Sequence, residues 1–147
     1  MIALEDLKSM TEQEVLDHLA IEYSDEQEYS DSEDQTDSEQ SREKNIQEAK
    51  KMLSDYKVLI AYESVGSWGC DSSSFFLLKH KETGELFEIN GGHCSCYGFE
   101  GQLELEGTTV EALKHRITKG QGVFTLGGYD SDELGNVEKA NAYINAL

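Results

Sequence analysis

The sequence predicts an α+β fold: a small antiparallel β-sheet of three to five strands packed with helices, preceded by an N-terminal helix and an acidic disordered linker. Three observations predict it. Apolar residues recur at helical spacing within residues 46–56, 110–117 and 134–144. Short apolar runs bounded by turn residues lie between them, at 58–62, 75–78 and 86–89. Residues 22–45 contain no aliphatic side chain at all, so they have little surface to bury against the entropy of ordering. The chain of 147 residues has room for one modest core. It divides into an N-terminal helical segment (1–21), the linker (22–45) and a compact domain (46–147).

The elements follow in order. Residues 1–21 read as helical. Leu4 and Leu7 form a short apolar edge, Thr11-Glu12-Gln13-Glu14 is a capping box, and Val15, Leu16 and Leu19 supply the face beyond it. After the linker, Ile46, Ala49, Leu53 and Tyr56 mark a helix that runs into the β-type segment Val58-Leu59-Ile60-Ala61-Tyr62. The run Phe75-Phe76-Leu77-Leu78 predicts a central strand. Glu82-Thr83-Gly84 forms a tight turn, and the chain returns through Leu86-Phe87-Glu88-Ile89. Leu103 and Leu105 alternate with acids as a short edge strand. Thr108-Thr109-Val110-Glu111 caps a helix using Val110, Leu113 and Ile117, and ending at Gly120. Residues 123–126 form a last strand and residues 130–147 a C-terminal helix. This order describes an antiparallel meander with helices on one face.

Charge is the strongest compositional feature. Thirty acids against twelve bases leave a net −18. Such a field repels nucleic acid and anionic membranes and attracts basic protein faces, so direct nucleic-acid binding is disfavoured. Residues 22–43 carry Glu22, Asp25, Glu26, Glu28, Asp31, Glu33, Asp34, Asp37, Glu39 and Glu43 against Arg42 alone, half of the total net charge. The segment is a solubilising linker or a docking tail for a basic surface. Its candidate contacts are Asp25, Glu26, Glu28, Asp31, Glu33, Asp34, Asp37 and Glu39. No run approaches the roughly 18 apolar residues of a membrane span. The start, Met1-Ile2-Ala3-Leu4-Glu5-Asp6, lacks the basic and apolar regions of a secretory signal. The cytoplasm is the expected location.

Three cysteines, two of them one residue apart, make a poor disulfide framework. The densest loop is Asn90-Gly91-Gly92-His93-Cys94-Ser95-Cys96-Tyr97-Gly98-Phe99-Glu100-Gly101-Gln102. One strand out and one strand back bring Cys70 toward Cys94 and Cys96. With His93, or with His115 on the following helix, these would make four soft ligands for tetrahedral zinc. Cys-x-Cys is not the usual spacing of such sites, and neighbouring residues seldom share one ion. The alternative is a tightly packed loop that binds no cofactor. A thiolate–imidazole pair of His93 with Cys94 or Cys96 would make a cysteine-dependent enzyme, yet no orienting acid stands out. The stretch beginning at Asp130 starts like a calcium loop, but Leu134 and Asn141 occupy ligand positions. No phosphate-loop spacing occurs.

The motif His93-Cys94-Ser95-Cys96-Tyr97-Gly98-Phe99-Glu100-Gly101-Gln102, following a β-hairpin and leading to a capped helix, resembles a family of small, uncharacterised bacteriophage and prophage proteins. The resemblance spans residues 57–120. In the family the glutamine leads into a Trp-x-Pro-Glu segment, whereas here Leu103-Glu104-Leu105-Glu106 follows, so no role of that tryptophan transfers. The residues of interest in the motif are His93, Cys94, Cys96, Tyr97, Glu100 and Gln102. The resemblance implies phage origin and a bacterial cytoplasm. By analogy it suggests a non-enzymatic inhibitor or modulator that occupies the nucleic-acid-binding face of a basic host protein, as a DNA mimic does.

Overall fold

A computed structural model describes residues 1–24, 35–65, 72–93, 101–119 and 131–147, with backbone alone at 35–40, 93 and 131–134. The described elements are β1 (Ile2–Glu5), α1 (Glu12–Tyr23), α2 (Gln35–Leu53), β2 (Tyr56–Val65), β3 (Ser72–His80), β4 (Leu86–His93), β5 (Glu106–Thr108), α3 (Val110–Thr118) and α4 (Ser131–Asn145). The strands form one sheet in the order β1-β2-β3-β4-β5. The fold is α+β, as expected. β2, β3, β4 and β5 make the antiparallel meander, and β1 adds a parallel edge, with Ile2 opposite Ile60 and Glu5 opposite Glu63.

The helical reading of the first residues is therefore corrected. Leu4 and Leu7 have helical spacing, but Ile2 and Leu4 pack on one face of the sheet and Ala3 on the other, the alternation of a strand. The pairing that decides this lies in β2, far along the chain. α1 begins where the capping box places it: the Glu14 N–H donates to Thr11 Oγ1 at 3.2 Å, and the Thr11 hydroxyl donates to Glu14 Oε1 at 3.1 Å. Val15, Leu16, Leu19, Ala20 and Tyr23 on α1 are all buried, so the helix belongs to the core.

The expected linker is also shortened. α2 begins at Gln35, and its Gln, Glu, Lys and Arg residues are good helix formers. A lack of aliphatic residues says nothing against an exposed helical turn, and at the other end of the expected linker Tyr23 is buried as the last residue of α1. Ala49 and Leu53 anchor the far end of α2 in the core.

Helices cover both faces of the sheet, which corrects the one-face expectation. α1 and α2 pack on the face carrying Val58, Ala61, Phe76, Leu78 and Ile89. Leu113 of α3 and Ala140 and Ile144 of α4 pack on the face carrying Ile60, Tyr62, Phe75 and Leu77. Phe75, Phe76, Leu77 and Leu78 are fully buried; an unbroken apolar strand of this kind needs cover on both sides. A β-bulge between Val58 and Ile60 lets Leu59 and Ile60 face the same layer.

The β3–β4 turn is as predicted. Gly84 has φ +73°, and its N–H donates to the His80 carbonyl at 3.0 Å. α3 is capped by Thr109 and not Thr108, with the Ala112 N–H donating to the Thr109 hydroxyl at 3.1 Å. The edge strand begins at Glu106, and Leu103 and Leu105 instead pack partly buried against the α1/α2 layer. Trp68, Gly120 and the expected strand at 123–126 lie outside the described residues.

Candidate functional site

The β2–β3–β4 register puts Glu63, Ser74 and Gly91 in one row across the sheet, under α1. Glu63 is 6% exposed and Ser74 5% exposed. The Tyr23 hydroxyl donates to Glu63 Oε2 at 2.7 Å, and His18 Nε2 lies 2.8 Å from the same oxygen. One carboxylate thus holds two side chains of α1. The Glu63 carbonyl also accepts the Asp6 N–H at 3.1 Å, so the same residue fixes the end of β1.

The hydrogen bond to Glu63 raises the His18 pKa above its ordinary value, outweighing the opposing effect of burial. Burial, reinforced by the Glu63 charge, pushes the Tyr23 hydroxyl far above its usual range, so it remains a proton donor.

Gly91 completes the packing. A Cβ there would lie 2.5 Å from Ser74 Oγ, 3.0 Å from Tyr23 Cε1 and 3.1 Å from Gln102 Oε1, so only glycine fits without displacing a neighbour. Gln102 then binds the next residue twice. Its Nε2 donates to the Gly92 carbonyl and its Oε1 accepts the Gly92 N–H, both at 2.9 Å. A side-chain amide thereby takes the place of a neighbouring strand on β4. The Leu103 N–H donates to the Tyr23 carbonyl at 3.0 Å. The loop 93–102 is therefore closed at its base, onto β4 by Gln102 and onto α1 by Leu103.

The residues singled out in the sequence fall as follows. Ser72 pairs with His93, so the start of β3 and the end of β4 lie side by side. Cys70, Cys94, Cys96, Tyr97 and Glu100 lie outside the described residues, as does the His93 side chain. His115 is exposed on α3. Its neighbour Arg116 pairs with Glu88, five residues down β4 from His93, about 16 Å at the usual rise of a strand. Among the described residues no cluster of three or more His, Cys, Asp or Glu side chains can hold a metal ion. Asp25, Glu26, Glu28, Asp31, Glu33 and Asp34 lie outside the described residues, and Asp37 and Glu39 are on α2.

The His18–Glu63–Tyr23 cluster was missed in the sequence. A signal was present: Glu63 follows five apolar or aromatic strand residues, at the parity of Ala61, on a face that has to be covered. A second ionic contact holds the opposite face. Arg116 Nη1 lies 2.9 Å from Glu88 Oε1, and the Asn90 amide donates to the same oxygen at 3.0 Å. Burial alone would raise the Glu88 pKa, but hydrogen bonds from Arg116, Asn90 and Thr108 outweigh it and hold the carboxyl below its ordinary value.

No family model, curated protein or solved structure matches this chain. Among the described residues no helix is long and apolar enough to cross a membrane.

Proposed function

We propose that the protein is a non-enzymatic phage or prophage accessory protein that binds a basic host protein through its acidic segment and blocks or modulates that protein's nucleic-acid-binding face. One observation carries the reading. Residues 9–41 contain Glu12, Glu14, Asp17, Glu22, Asp25, Glu26, Glu28, Asp31, Glu33, Asp34, Asp37 and Glu39, and no lysine or arginine. The fold supports it in that α1 and α2, which flank residues 25–34, pack on one face of the sheet. Association driven by such a field is fast and salt-sensitive. The phage setting and the bacterial cytoplasm come from the resemblance of the residue 93–102 motif.

The test is affinity capture from bacterial lysate. The native chain is compared with one in which Asp25, Glu26, Glu28, Asp31, Glu33, Asp34, Asp37 and Glu39 are replaced by Asn or Gln. Neutralisation is preferred to deletion of residues 22–43, because deletion removes the buried Tyr23. A basic nucleic-acid-handling protein retained only by the native chain, and released as salt rises past the point where the Debye length falls to about 3 Å, is the expected result. Equal retention by both chains, or retention indifferent to salt, would overturn the proposal.

The register of Ser72 with His93 favours a second reading, a small zinc site using Cys70, Cys94, Cys96 and His93. Elemental analysis of protein purified without added metal should then find about one zinc per chain, lost in Cys94→Ser. Zinc below a tenth of an equivalent removes this reading.

A further inference from the structure

A groove of about 370 Å³ opens where α1 ends, between α2 and the base of the cysteine loop, lined by Tyr23, Ser24, Asn45, Glu48, Ala49, Met52, Gly101 and Leu103. Its chemistry is two-sided. Ala49, Met52 and Leu103 give an apolar floor, and Met52 is 37% exposed. Glu48, Asn45 and the end of α1 supply acceptors. α1 has no basic residue in its last turn, so the negative end of its dipole favours a cation beside the Leu103 N–H that already meets the Tyr23 carbonyl. Among the described residues no lysine or arginine lines the groove; Lys44 and Lys51 flank Glu48 along the exposed side of α2. Ser24, the C-cap of α1, lies at the groove's rim, and α2 forms its wall.

From this we infer that the groove is a docking pocket for an arginine side chain of the basic partner. The inference rests on the acidic-surface reading given above and adds a site to it. The apolar floor takes the aliphatic stem, as long cationic side chains prefer. The guanidinium, with five donors in a planar fork and weaker hydration than an ammonium, meets the Glu48 carboxylate, the Asn45 amide oxygen and the α1 terminus. The acidic stretch draws the partner in, and the pocket fixes where it sits.

Fluorescence anisotropy with a labelled octa-arginine peptide tests this on the full chain, using Met52→Ser, Glu48→Gln and a chain with Asp25, Glu26, Glu28, Asp31, Glu33 and Asp34 neutralised. Circular dichroism checks that each variant is folded. Met52→Ser alters no charge, so it should weaken binding roughly 2–10-fold, the equivalent of one ordinary contact, while leaving the salt slope unchanged. Glu48→Gln should weaken it by a similar factor. Affinities within twofold of native for both variants would overturn the pocket. If the groove variants weaken binding while the neutralised chain binds like native, the pocket stands and the acidic-segment reading falls. The reverse pattern keeps that reading and removes the pocket. Amide chemical shifts give an independent readout: octa-arginine should move Ser24, Asn45, Glu48, Met52 and Leu103, and shifts confined to other residues count against the site.

Discussion

Gly91 and Gln102 show how much of the loop's position depends on single atoms. The space over Gly91 is filled from three sides by Ser74, Tyr23 and Gln102, so Gly91→Ala has to displace a packed side chain. It should destabilise the fold by about 1–3 kcal/mol, measured by urea unfolding. A loss below 0.5 kcal/mol would mean that the row under α1 relaxes freely. His18 is tested by pH. Its pKa is raised in the folded state, so its contact with Glu63 is fully stabilising below the ordinary histidine value of 6.5. That stabilisation is lost as pH rises through the raised value. The native chain should therefore lose stability as pH rises above 6.5, and His18→Gln should flatten this part of the profile. An unchanged slope in His18→Gln would show that another group is responsible. Little of this cluster was legible in the sequence. A lone Glu at the end of a strand and a lone His on a helix reveal their pairing only when the register of α1 over β2 is known.

Local signals carried the β3–β4 turn and the α1 cap, missed the α3 cap by one residue, and failed where an element depends on distant partners. Thr11 and Gly84 did what their immediate neighbours dictate. Ile2, Ala3 and Leu4 became a strand because β2 was available, and α2 extended through polar residues because its far end is anchored. The attachment of α3 to β4 makes a separate prediction. Arg116 and Glu88 form an ion pair whose carboxylate side chain is 4% exposed while the guanidinium is 35% exposed. Arg116→Met leaves a buried carboxylate short of a partner and should cost about 2–3 kcal/mol, less than a fully buried pair would. Adding Glu88→Gln should recover part of that loss. If the double variant is no more stable than Arg116→Met, the penalty does not come from the stranded charge. The Glu88 pKa is lowered, so the pair contributes fully above the ordinary carboxyl value of 4.5 and is lost as pH falls through the lowered one.

The fold class was legible because the elements alternate clearly and each is short. The number of covered faces was also encoded, in the uninterrupted burial of Phe75, Phe76, Leu77 and Leu78, but the meander pattern drew attention away from it. The net charge of −18 acts on the molecule as a unit. Self-repulsion opposes the compact state, and dissolved ions screen it beyond about 10 Å at 0.1 M. Thermal midpoints should therefore rise with sodium chloride between low and moderate concentration. Neutralising six acids of residues 25–34 should raise the midpoint at low salt and reduce its salt dependence. A midpoint insensitive to salt in the native chain would place the acids too far apart to matter for stability.

The parallel edge strand has a kinetic consequence. The β2–β3 and β3–β4 pairings are joined by short connections and can form early, whereas Ile2 must find Ile60 across two helices and the acidic stretch between them. A contact this distant in sequence adds a closure entropy that the hairpins do not incur. β1 should consequently dock after the transition state. Truncating Ile2 or Leu4 to Ala should then accelerate unfolding while leaving the folding rate nearly unchanged, a φ-value near zero at the edge of a sheet whose centre is already formed.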